Sequence, residues 1–210
     1  MNELAILQQE IVACTRCPRL RDHCIRIAQV KRRAYLDREY WGQPVPSLGD
    51  PAARVLILGL APGAHGANRT GRMFTGDKSG EFLFRALHQT GFSSADGSVL
   101  TDVYITASAH CAPPDNKPTR EELHNCRPYL ERELSLLKNV RVVVALGRIA
   151  FDTYLSIVKK RREFGHNVVH DLQPILIASY HPSQQNTSTG KLTAQMLREV
   201  FEQARNLAKD

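Results

Sequence analysis

Arg54-Val55-Leu56-Ile57-Leu58-Gly59-Leu60-Ala61-Pro62-Gly63 runs without a break into Ala64-His65-Gly66-Ala67-Asn68-Arg69-Thr70-Gly71-Arg72-Met73-Phe74-Thr75-Gly76-Asp77. A short apolar run that empties into a Gly/Pro loop is how an open α/β sheet delivers a ligand-binding crest to the carboxyl edge of its strands. The loop carries what recognition of a nucleic-acid base requires. It has glycines for close backbone approach, an aromatic face in Phe74, a carboxylate in Asp77 and cations in Arg69 and Arg72. A substrate loop of an unspecified α/β enzyme is the plainer alternative.

Working outward, further apolar runs lie at Asp102 to Ser108, Val140 to Leu146 and Ile175 to Ser179. Helical patterns alternate with them at Gly80 to Thr90, Arg120 to Leu137, Arg148 to Val158 and Thr193 to Ala208. That alternation predicts an α/β protein with a mostly parallel sheet covered on both faces. Met1 to Val12 reads as an amphipathic helix, not a signal peptide or a membrane span, so a cytoplasmic protein is expected. Tyr35 to Pro51, with Trp41, Gly42, Pro44, Pro46 and Gly49, reads as a long irregular connection. A length of 210 residues with 42% apolar content predicts one domain over 1–210, with an N-terminal helical segment over about 1–50.

The net charge of +7 points to an anionic partner. Lys31-Arg32-Arg33 and Lys159-Lys160-Arg161-Arg162 each read more readily as solvated surface than as a binding site. The five cysteines, Cys14, Cys17, Cys24, Cys111 and Cys126, are an odd number, which argues against a disulfide framework. Cys14-Thr15-Arg16-Cys17 follows a helix and precedes Pro18, which favours a structural metal clamp over a redox pair. Four thiolates from three places can hold zinc or an iron-sulfur cluster, and spacing leaves open both the metal and whether Cys24 replaces one of the four. The last strand empties into Tyr180-His181-Pro182-Ser183-Gln184-Gln185-Asn186, which places His181 on the same edge as Asp77.

The Gly59 to Asp77 loop, Cys111-Ala112-Pro113-Pro114-Asp115-Asn116-Lys117-Pro118, Leu146-Gly147 and His181-Pro182-Ser183 occur in an order that resembles the family 5, or B-type, uracil-DNA glycosylases. These are iron-sulfur members of the uracil-DNA glycosylase superfamily. The resemblance runs from Cys14 to the final helix and implies a three-layer α/β/α sandwich around a four-stranded parallel sheet. It implies a monomeric, monofunctional glycosylase that flips uracil and other deaminated bases out of double- or single-stranded DNA and leaves an abasic site.

Carried over residue by residue, it implies that Cys14, Cys17, Cys111 and Cys126 ligate a structural 4Fe-4S cluster, with Cys24 spare. Asp77 would face the oxocarbenium-like sugar or orient water, and His181 would bond the base carbonyl. Phe74 would stack on the flipped base, with Leu60, Ala61, Gly63 and Ala107 lining its pocket. Arg69, Arg72, Ser183, Gln184 and Asn186 would contact the DNA. The stretch Gly59 to Gly63 lacks the Asp or Asn that other superfamily members carry there, which leaves Asp77 as the carboxylate of the loop. Ala107 stands where many members carry an Asn that reads the uracil edge, which argues for a broad range of damaged bases. Structural alternatives are a helix cap for Asp77 and plain core for Phe74. Non-catalytic binding of nucleic acid through a metal-clamped domain is the competing function, and a nucleoside hydrolase the third.

Overall fold

The five residues of each of four strands, β2 (Val55–Gly59), β3 (Val103–Ala107), β4 (Val142–Leu146) and β6 (Ile175–Ser179), are buried on both faces or nearly so. That double burial is why they read as unbroken apolar runs. The computed structural model of the chain describes residues 3–209, so Met1 and Asn2 of the expected first helix, and Asp210, lie outside the described residues. These four strands are parallel neighbours in the order β3-β2-β4-β6.

Six strands stand where four were expected. The additions, β1 (Leu48–Gly49) and β5 (Val168–His170), pair antiparallel at the two edges. One is a two-residue strand inside the irregular connection and the other has two exposed valines, so neither carries a periodic signal.

Alternate residues of the strands feed two separate cores. Val55, Ile57, Val103, Ile105, Val142 and Val144 pack with α4 (Lys78–Gln89) and α8 (Ala194–Leu207) through Leu83, Leu87, Leu197 and Phe201. Leu56, Leu58, Tyr104, Val143 and Leu176 pack on the other face with α5 (Arg120–Leu136) and α6 (Arg148–Val158) through Leu130, Phe151 and Tyr154. The result is the α/β/α arrangement expected. The helix starts are written locally: Thr119 and Glu122 form a reciprocal capping box on α5, and Thr193 caps α8. No helix among the described residues is long and apolar enough to cross a membrane.

The N-terminal part docks through α1 (Glu3–Val12) and α2 (Pro18–Val30), the latter opened by Cys17 with Pro18 at its first position. A buried polar network joins α1 to the sheet. Glu133, fully buried, accepts from Thr106 Oγ1 at 2.6 Å and from Gln8 Nε2 at 3.1 Å. Gln8 in turn accepts from the Ser47 N–H at 2.7 Å, and Ser47 donates to Thr106 at 2.8 Å. Removing the carboxylate leaves the buried Thr106 hydroxyl without this acceptor and leaves Gln8 Nε2 only its bond to Tyr104, so Glu133→Ala should cost about 1–3 kcal/mol in urea unfolding, and Glu133→Gln clearly less. Equal stability of Glu133→Ala and the parent chain would show that the network contributes nothing.

Candidate active site

The chain leaves β2 for the right-hand neighbour of the sheet only after visiting β3 on the left, so a crevice opens at the carboxyl end of β2. A cavity of about 880 Å3 occupies that position. The long first loop supplies most of its wall. Ala107 at the end of β3, Asp115 and Asn116, the His181 to Gln185 segment, and Arg32 with Tyr35 complete it. Asp77, His181, Leu60, Ala61, Gly63, Phe74, Ala107, Ser183 and Gln184, all named from the sequence, come together here.

Asp77 is both the helix cap and a cavity residue. Its Oδ1 accepts the Gly80 N–H at 2.9 Å and opens α4, while Oδ2 makes no hydrogen bond among the described residues. Oδ2 lies over bare backbone: a Cβ on Gly63 would sit 2.7 Å from it and one on Gly66 only 2.0 Å. The two glycines therefore clear the space that one free carboxylate oxygen occupies.

Phe74 lies at φ 51, a left-handed conformation uncommon for an aromatic residue. Its ring covers Gly59, where a Cβ would come within 2.9 Å, and its carbonyl packs on Gly80, where a Cβ would come within 1.8 Å. The ring is thereby pushed to the cavity, with its centroid 6.2 Å from that of His181.

His181 emerges directly from β6, and its carbonyl accepts from Asn186 Nδ2 at 2.8 Å. Neither ring nitrogen has a partner among the described residues, and burial pushes its pKa down to about 4. The imidazole is neutral at pH 7 and carries one free N–H donor. Behind it, His166 Nδ1 accepts the Tyr180 N–H at 3.2 Å and stacks on the Tyr180 ring. Gly147 N–H bonds the Ser179 carbonyl on the other side, so the strand end is held from both flanks.

Three residues assigned to DNA from the sequence do not line the cavity. Arg69 donates to the carbonyls of His65 and Gly76, each at 2.9 Å, and its guanidinium lies 4.1 Å from the Tyr35 ring centroid. Arg72 bonds the Gly97 carbonyl and covers Phe84. Asn186 is spent on the His181 carbonyl. These side chains brace the walls. Gln185, in the run expected to meet DNA or fill the gap left by a flipped nucleotide, does line the cavity, whereas Arg32, Tyr35, His65, Lys78, Asp115 and Asn116 had no role in the sequence reading. Asp115 and Asn116 had a signal, because paired positive φ values of 54 and 56 suit this dipeptide in a turn.

All five cysteines are free. Cys17, Cys24 and Cys111 share one buried cluster, and Cys14 packs beside Tyr129. Burial pushes the Cys126 thiol up to about 12, and the thiolate charges of Cys17 and Cys14 push in the same direction. Cys111 is held high by its hydrogen bond with Cys24 and by burial. No three His, Cys, Asp or Glu side chains among the described residues form a group that could hold a metal ion.

The family model described as "Uracil DNA glycosylase superfamily" matches residues 46–205. The chain is 49% identical over 214 residues to a "Type-5 uracil-DNA glycosylase" of Thermus thermophilus, covering 95% of this chain and 96% of that protein. A protein of the same description from Mycobacterium leprae is 47% identical over 96% of this chain and 94% of its own length. One from Pyrobaculum aerophilum is 45% identical over 92% and 88%.

The glycine clearance around Asp77 can be tested directly. Gly66→Ala should leave folding intact but displace the carboxylate, so any activity that depends on Asp77 should fall together with it; parent-level activity would place the working oxygen elsewhere. Acid should act through His181. Its pKa of about 4 in the fold lies below the 6.5 of a free imidazole, so the unfolded chain binds the extra proton. Stability is therefore full above about pH 6.5 and declines toward pH 4, and the decline in melting temperature across that window should be smaller in His181→Asn.

Proposed function

The chain belongs to the uracil-DNA glycosylase superfamily, and we propose that it is a type-5 member, a monofunctional hydrolase that removes uracil from DNA and so begins base-excision repair. The observation that carries this reading is the pairing, in one cavity, of a carboxylate oxygen left free beside Gly63 and Gly66 with a neutral imidazole that has a free donor. Hydrolysis of an N-glycosidic bond asks for both, because the sugar gains positive character while the base departs with the bonding electrons.

The extruded base stacks on Phe74 between the ends of β2 and β3. His181 donates its N–H to the base carbonyl on which negative charge develops. Being neutral, it stabilises that charge without protonating the ground state, and no proton need be taken up near pH 7. Asp77 Oδ1 stays tied to Gly80, so Oδ2 keeps its direction while it faces the anomeric carbon or holds water for attack. The fixed hydrogen bond makes the carboxylate preorganised, which is what gives an electrostatic group its catalytic weight.

Range follows from the wall chemistry. Ala107 offers no side-chain hydrogen bond at the base edge, so discrimination among uracil, hypoxanthine and other deaminated bases rests on backbone groups and cavity shape. Both double- and single-stranded DNA are substrates in this reading.

The reading includes a structural 4Fe-4S cluster held by Cys14, Cys17, Cys111 and Cys126. The donor set fits such a group: buried thiols whose ionised forms repel one another gain when a cation takes them up. A cluster with four irons also accepts thiolates spaced more widely than a single ion does. Its contribution is to join the chain after α1 to the loop after β3 and to α5.

Asp77→Asn keeps size and part of the cap but removes the charge, a loss of about 2.7–4 kcal/mol of transition-state stabilisation. Single-turnover release of uracil should fall by about two to three orders of magnitude while abasic-DNA affinity persists. A variant that keeps most of its rate would sink the assignment. His181→Ala should cost least on bases that are already good leaving groups. For the cluster, anaerobically purified protein should be brown and contain iron and sulfide, and Cys126→Ser should bleach it while Cys24→Ser does not. Colourless fresh protein with stoichiometric zinc is the opposite outcome.

A further inference from the structure

Arg69 and Arg72, the cations that the sequence of the first loop offers to DNA, are occupied inside the protein. Two other cations that line the cavity are free. Arg32 precedes a short 3-10 turn, Arg33–Tyr35, and Lys78 is the first residue of α4. Both are exposed, and neither side chain has a hydrogen bond or ion pair among the described residues.

We propose that Arg32 and Lys78 are the phosphate contacts at the mouth of the cavity and take the backbone on the two sides of the extruded nucleotide. The inference rests on the glycosylase reading and adds to it which charges hold the DNA.

Their placement supports this. Arg32 is joined to Tyr35 in the same turn, where the Tyr35 N–H bonds the Arg32 carbonyl at 2.7 Å. Tyr35 is itself clamped by the Arg69 guanidinium, 4.1 Å from its ring centroid. Arg69 is thus a positioning residue for the turn that carries Arg32. Burial first, and then the positive charges of Arg32 and Arg69, hold the pKa of His65 in the cavity wall below its ordinary value. The charges of Arg32 and Arg69 are thus close enough to be felt at this part of the wall.

Lys78 stands at the first position of a helix, where the macrodipole already places positive charge. A lysine there works against the helix in the free chain. An anion at the mouth removes that conflict, since it meets the ammonium and the helix end together. The neighbouring Asp77 keeps its own Oδ1 on the Gly80 N–H, so Lys78 is not its ion-pair partner.

Each phosphate contact adds about one unit to the slope of log affinity against log salt. The full chain would be titrated with an abasic-site duplex over a range of salt concentrations, and uracil release measured at saturating DNA. Arg32→Gln and Lys78→Gln should each lower the slope by about 0.9 and weaken binding several-fold on any sequence. Arg72→Gln and Lys160→Gln, which remove the same charge away from the mouth, should leave the slope at its parent value. Parent slopes in both Arg32→Gln and Lys78→Gln, or equal losses in all four variants, would overturn the inference. Failure of the glycosylase reading is separate: the unsubstituted chain would then bind the duplex and release no base at any salt concentration.

Discussion

The hydrogen bond from the Gly80 N–H to Asp77 Oδ1 sets the geometry on which the rest of the site depends. It fixes where α4 begins, and with it the direction in which the second carboxylate oxygen points. Glycine is required at position 80 because the Phe74 carbonyl lies where a Cβ would stand. The same contact therefore ties the helix start to the strained turn that aims the Phe74 ring. Gly63 and Gly66 complete the arrangement by leaving room for Oδ2. A cap that stabilises a helix is, in this chain, also what orients the free carboxylate oxygen of Asp77, so the capping role and the proposed catalytic role are compatible in one side chain.

The central strands were legible because burial on both faces writes a continuous apolar run, and their loops inherit a common edge from parallel pairing. β1 and β5 were not, since two or three residues at a sheet edge carry no period. α2 was hidden behind the cysteines and Pro18, and α7 (Gln184–Ser188) is short and wholly polar. In the site, Asp77, Phe74 and His181 stood out because each follows a strand or loop whose position was already readable. The arginines were harder. A loop arginine near a ligand looks the same in sequence whether it meets a phosphate or a backbone carbonyl, and Arg69 and Arg72 meet carbonyls. Arg32, inside a basic run that reads as surface, is the one at the cavity.

The N-terminal segment does more than cover the sheet. Trp41 and Gly42 donate their N–H groups to the carbonyls of Arg69 and Asn68, at 2.9 and 3.0 Å, and Asn68 Nδ2 reaches the Cys24 carbonyl at 3.3 Å. The Trp41 ring lies against Gly71, which takes the left-handed φ of 71 that closes the short helix α3 (Ala67–Thr70). The outer wall of the first loop is thus hydrogen-bonded to the α2 region, not to the sheet that carries the loop's two ends.

This division of support explains why the cysteine region and the cavity belong together. A loop of this length, anchored only at β2 and α4, would sample many conformations and leave Oδ2 without a defined neighbour. Backing it with α2 removes that freedom, provided that α2 is itself held. Its attachments include the Leu20, Cys24 and Cys111 cluster, the Arg19–Glu122 ion pair to α5, hydrogen bonds from Arg19 to the Lys117 carbonyl, from Arg21 to the Gly42 carbonyl and from Cys24 to the Ala112 carbonyl, and the Asn68 bond. The Arg19 side chain is substantially exposed, so that pair alone contributes little. The rigidity of the first loop therefore depends on how firmly the thiol-bearing segments are joined. A group that binds those thiols together would act on the cavity wall through the Cys24 carbonyl and Asn68, at a distance from the cavity itself.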